Sequence, residues 1–232
     1  PPRSPAPAGL LFASLVALAL PVLSACTPAP RLQGEGGLVL AGEGFRHRVL
    51  AAGGARPGAP LRVYLGGDGR AWLHPRRPAR DPTPPRDLAL ELMAQDPGPA
   101  LYLGRPCYHE LADAPGCGPW WWTHGRYGEA VVASMAAALG RLLERHRPGP
   151  VTLVGYSGGG TLAVLLAPRV PEVAGVVTVA ANLDTAAWAR HHGYTPLAGS
   201  LNPAERPPLP RRIRQLHLFG ARDRAAPRAL AA

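Results

Sequence analysis

The stretch that most constrains the fold begins at Pro150. Val151-Thr152-Leu153-Val154 is followed without a break by Gly155-Tyr156-Ser157-Gly158-Gly159, and then by an apolar stretch over residues 161–167. A short apolar run between turn residues is the pattern of a buried strand, and the stretch beyond it reads as a helix. Passing from strand to helix within so few residues needs a tight turn. A Cβ at Gly155 or Gly159 would collide there, and Ser157 would be held in a strained conformation with its hydroxyl lifted above the sheet. The helix beyond aims its first amides at the serine, where they favour negative charge.

The rest of the chain extends this alternation. Residues 45–51 and Leu61-Arg62-Val63-Tyr64-Leu65 read as strands, residues 86–95 as a helix opening just after proline, and Ala100-Leu101-Tyr102-Leu103 as a short buried strand. Val131, Met135, Leu139 and Leu142 recur at helical spacing within residues 126–147, and residues 173–180 and 215–219 add two further strands. Strands alternating with helices imply an α/β architecture, a mainly parallel sheet with helices on both faces. A chain of 232 residues with 47% apolar content can bury a core without disulfides or metals.

The amino end is of another kind. Arg3 precedes an apolar run from Leu10 to Leu23, and small residues follow at Ser24 and Ala25. This is the layout of a secretory signal. As a helix the run spans about 21 Å, short of the ~30 Å hydrocarbon core, and Pro21 weakens it further. Leu23-Ser24-Ala25-Cys26 resembles the lipobox of bacterial lipoproteins. The resemblance implies export and lipidation of Cys26, with anchoring by acyl chains such as palmitate in the cell envelope, at the outer membrane or cell surface. Residues 1–25 are thus read as a signal peptide, 26–36 as a Pro/Gly-rich flexible tether and 37–232 as the folded domain. In an oxidising compartment the remaining pair, Cys107 and Cys117, reads as a disulfide across a turn-rich stretch.

The formal net charge is +10, and all 25 basic residues are arginine. They are scattered without a dense run beside aromatics, so no nucleic-acid partner is expected, although attraction to an anionic membrane surface fits. The cysteine spacing offers no second Cys or His pair for zinc, and neither metal nor cofactor is expected.

Gly155 to Gly159 matches the G-x-S-x-G nucleophile elbow, and from about residue 37 to residue 228 the chain resembles the α/β-hydrolase family. The resemblance implies a metal-free serine hydrolase with Ser157 as nucleophile. Gly66-Gly67-Asp68-Gly69 resembles the H-G-x-G oxyanion loop of esterases, with Gly66 where histidine usually stands. The amides of Asp68 and Gly158 would then hold the oxyanion, with the Asp68 side chain turned away from it. The stretch Leu218-Phe219-Gly220-Ala221-Arg222-Asp223 resembles the acid loop, making Asp223 the acid. Asp184 is the alternative acid, or else a helix N-cap.

No histidine follows Asp223, although the family order is Ser, acid, His. The expectation is that the catalytic histidine, with the last strand and helix, lies beyond Ala232. His191 and His192, in a segment read as a lid, are the fallback, and His217 is read as structural. Trp120-Trp121-Trp122 reads either as an acyl-pocket lining or as packing. A small-molecule ester is the default substrate, with amidase, thioesterase and acyltransferase chemistry left open. The alternative is a non-catalytic envelope lipoprotein that keeps the fold as a binding module. The sequence does not indicate an oligomeric state.

Overall fold

The computed structural model describes residues 33–225; the signal sequence, Cys26 and most of the tether lie outside them. The strands are β1 (Gln33–Ala41), β2 (Arg46–Ala52), β3 (Leu61–Leu65), β4 (Trp72–His74), β5 (Arg77–Pro78), β6 (Ala100–Leu103), β7 (Val151–Tyr156), β8 (Val173–Val179) and β9 (Arg214–Leu218). The helices are α1 (Leu88–Ala94), α2 (Glu129–His146), α3 (Gly158–Leu166) and α4 (Thr185–His192). Seven strands form one sheet in the order β1-β2-β6-β3-β7-β8-β9, while β4 and β5 pair separately. Only β2 runs against its neighbours; from β6 across to β9 every pairing is parallel.

Strand alternation sorts the core into two layers. Val63, Leu65 and Leu153 face α2 and α3, where Val131, Met135, Leu139, Leu162 and Leu166 are buried against them. Tyr64 and Tyr102 face the other way, onto Ala89 and Met93 of α1. Burying a Leu or Met fully contributes about 1.5–3 kcal/mol, so this α2–α3 layer is the main source of cohesion. Asp87 caps α1, its carboxylate accepting from Ala89 N–H at 2.9 Å.

The structure goes beyond the sequence reading in four places. β1 begins at Gln33, inside the stretch read as tether, because its pairing with β2 carries the sheet toward the amino end. α3 begins at Gly158, so three glycines that read as turn make its first turn. The segment read as a lid is helical: α4 is capped by Asp184 and closed by Gly193 in the left-handed region at φ 65°. The β4–β5 hairpin has no sequence signal strong enough to read. Cys107 and Cys117 are joined by a disulfide, as their spacing suggested. No helix among the described residues is long and apolar enough to cross a membrane.

Candidate active site

β7 lies between β3 and β8, and its end delivers Ser157 to the top of the sheet. Ser157 has φ 50° and ψ −123°, and its N–H donates to the Val179 carbonyl at 2.8 Å. That backbone region costs a non-glycine residue about 1–3 kcal/mol, and it persists because its surroundings leave no alternative. A Cβ on Gly155 would strike the Gly159 carbonyl, and one on Gly159 would strike the carbonyls of Leu65 and Gly66. The elbow is thus pressed directly against the end of β3. The loop leaving β3 crosses the serine, so a Cβ on Gly67 would stand 3.3 Å from Ser157 Cβ.

Gly158 and Asp68 both adjoin Ser157. Gly158 N–H opens α3 and has no partner within the helix. Asp68 N–H donates to no backbone carbonyl among the described residues. The Asp68 carbonyl accepts from Tyr108 Oη at 2.9 Å, which ties this loop to the segment after β6.

The Asp68 carboxylate is drawn in by three partners. It stays beside Gly158, where an added Cβ would strike Asp68 Oδ1. One carboxylate oxygen accepts from Arg105 Nη1; the other accepts from Arg126 Nη1 at 3.0 Å and Tyr127 Oη at 2.6 Å. Burial opposes ionisation, but the Arg126 and Arg105 guanidiniums with the Tyr127 hydroxyl outweigh it and hold the carboxyl down to about 2. Two cations therefore keep this buried carboxylate ionised. Arg105, Tyr108, Arg126 and Tyr127 escaped sequence reasoning. The available signal was an aspartate in a glycine loop, which needs cationic partners once buried.

Ser157 opens onto a cavity of about 130 Å³ lined by Asp68, Tyr156, Ala180, Asn182, Trp188, Asp223 and Ala225. Asp223 therefore shares the serine's cavity; its Oδ1 accepts from Ala225 N–H at 2.8 Å. Asp184 does not line it. Its carboxylate caps α4 through Ala186 and Ala187 and accepts from Asn202 Nδ2, which accounts for a carboxyl held below its ordinary value against burial. Among the described residues no histidine is hydrogen-bonded to Ser157. His192 Nε2 meets the Ala225 carbonyl at 3.0 Å, beside Trp188 Nε1 at 2.7 Å, while His191 is exposed. His217 bonds Thr178 Oγ1 within the sheet, a structural role.

Trp120, Trp121 and Trp122 do not line the serine's cavity. Trp122 is buried and donates to the Ala79 carbonyl, Trp121 packs edge-on against Phe45, and Trp120 is half exposed. The aromatic lining comes instead from Tyr156 and Trp188. A larger groove of about 570 Å³ runs beside α3 and β9, lined by residues such as Val164, Leu201, Leu209 and His217. It shares no lining residue with the Ser157 cavity, and its lining contains no serine, cysteine or carboxylate.

A family model described as the alpha/beta hydrolase fold matches residues 109–209, which include the elbow. The chain has the α/β-hydrolase fold. Among solved structures with the α/β-hydrolase fold, a protein of unknown function from Agrobacterium tumefaciens superposes with a TM-score of 0.54 at 17% identity. The match covers 83% of this chain and 74% of that one. The acylaminoacyl peptidase of Pyrococcus horikoshii gives 0.54 at 11% identity, covering 87% of this chain and 33% of the peptidase. The chain thus spans only a third of the peptidase's length. No curated protein matches it.

Proposed function

We propose that the chain is a serine hydrolase that cleaves a small carboxylic ester through an acyl-enzyme on Ser157. The observation carrying this reading is Ser157 at φ 50° on a strand-to-helix turn, with Gly158 opening the helix and the Gly67–Asp68 loop packed across the serine. In this scheme a general base takes the Ser157 hydroxyl proton as Oγ attacks the carbonyl carbon, the two amides hold the resulting oxyanion, and the base returns the proton to the leaving alcohol oxygen. The tetrahedral intermediate expels the alcohol, and water then releases the acid from the acyl-enzyme. Asp223 is the acid that orients a general base. The cavity of about 130 Å³ is below the ~300–1,000 Å³ usual for drug-sized ligands, which favours a short acyl group.

A second reading is a binding module that keeps the fold without turnover, favoured by the lack of any described imidazole bonded to Ser157. A fluorophosphonate probe, applied to the protein expressed from its whole reading frame, separates the two. Rapid labelling that disappears in Ser157→Ala supports the hydrolase, and wild-type labelling no faster than Ser157→Ala supports the binding module. Short-chain p-nitrophenyl esters give the matching turnover assay, with His192→Ala testing whether that imidazole contributes.

Envelope attachment through Cys26 belongs to the same proposal and is supported by the lipobox-like motif. Expression in a bacterial host should give protein lipidated at Cys26, and Cys26→Ala should be released in soluble form. An unmodified Cys26 in membrane-extracted protein, read by intact mass, would overturn it.

A further inference from the structure

The oxyanion loop contains an aspartate whose negative charge opposes the charge proposed to develop at Ser157. Its carboxylate lies against Gly158, the residue after the nucleophile. Two arginines meet it. Arg105 also donates to the Arg126 carbonyl at 2.9 Å and lies over the rings of Tyr108 and Tyr127, with centroids at 5.1 and 5.4 Å. Arg126 is braced by the Thr123 carbonyl at 2.6 Å. The Arg105 and Arg126 side chains are only 2% and 8% exposed, against 20% for Asp68. Water therefore screens this group weakly, and its charges act at low effective dielectric.

One carboxylate and two guanidiniums leave one net positive charge. A single arginine would neutralise Asp68, and a second buried cation carries a desolvation penalty that a purely structural pairing does not require. That excess is useful where negative charge appears only during reaction. Resting on the serine-hydrolase reading, we infer that Arg105 and Arg126 are positioning residues of the Ser157 site. They reverse the sign of the charge that the Asp68 side chain presents to the oxyanion. They act through Asp68 and through their field, without touching substrate.

The sign of two opposite substitutions tests this on the protein expressed from its whole reading frame. Fluorophosphonate labelling rates and p-nitrophenyl acetate kinetics are measured per folded molecule, with Tm recorded alongside. Arg126→Gln removes the excess charge and should slow labelling and kcat by about tenfold or more with KM little changed. Arg126→Lys should recover most of that loss. Asp68→Asn should lower Tm by leaving two buried cations unpaired, yet label at least as fast as wild type. A merely structural cluster predicts the reverse, with both neutralising variants slowed in step with Tm. If Arg126→Gln does not fold, the Asp68→Asn rate decides alone: slower than wild type overturns the inference. Ser157→Ala labelled as fast as wild type would instead overturn the serine-hydrolase reading, and the inference with it.

Discussion

At the scale of single residues, the glycines differ in what an added methyl group would meet. At Gly155 and Gly159 it meets backbone carbonyls, which cannot rotate aside as a side chain can. Alanine at either position should cost about 3 kcal/mol or more, in the range of severe single substitutions. Gly140, inside α2, has nothing within 4 Å of an added Cβ, and alanine there should stabilise by about 0.5–1 kcal/mol. Urea unfolding of the three variants checks both signs, and a Gly159→Ala protein as stable as wild type would contradict the close packing described. The elbow was legible because its constraint is local, five consecutive residues between a strand and a helix. The partners of Asp68 were not, because they stand 37 to 59 residues further along the chain and meet it only through the fold.

At the scale of elements, the segment after β6 couples the disulfide to the site. Cys107, His109 and Glu110 all have positive φ, and Tyr108 between them donates its hydroxyl to the Asp68 carbonyl. The disulfide was readable from the spacing of two cysteines, whereas its link to the oxyanion loop was not. Replacing both cysteines by serine should lower stability by about 3 kcal/mol at most, the chain-entropy value for so short a loop. Ser157 labelling should also slow several-fold, because Tyr108 loses its bracing. Calorimetry with probe labelling tests this, and an unchanged labelling rate would show that Tyr108 is held without the bond. The long elements, β7 and α2, were legible from apolar pattern. α4 was obscured by its histidines and tryptophan, which carry no clear helical stripe, although Asp184 already had the chemistry of an N-cap.

At the scale of the whole molecule, acid should loosen the fold in two stages. His47 on β2 spans two layers: its Nδ1 donates to the Gly104 carbonyl at 2.9 Å, and its Nε2 meets Ser134 Oγ of α2 at 2.8 Å. A carbonyl can only accept, so Nε2 is the acceptor for the serine hydroxyl in the neutral ring. Burial lowers this imidazole to about 4, with the Gly104 carbonyl opposing the shift. The unfolded chain takes up that proton near 6.5, so the native state is fully favoured above pH 6.5 and loses this contribution as pH falls toward 4. The loss amounts to about 3 kcal/mol. His109 and His217 are also lowered, mainly by burial, and add to the slope in the same direction. Asp68 acts lower down. Its carboxyl is held at about 2 against an ordinary 3.8, so its contribution is present above 3.8 and disappears as pH falls toward 2, about 2 kcal/mol in all. Urea midpoints measured from pH 7.5 to pH 2 should therefore fall in both windows. His47→Gln, which keeps a donor and an acceptor, should flatten the upper window while leaving the lower one intact. Asp68→Asn should do the reverse, starting from a lower stability at neutral pH because two buried guanidiniums lose their counter-charge. A His47→Gln protein with the full wild-type slope between pH 6.5 and 4 would assign that slope to the other histidines and remove His47 from the acid response.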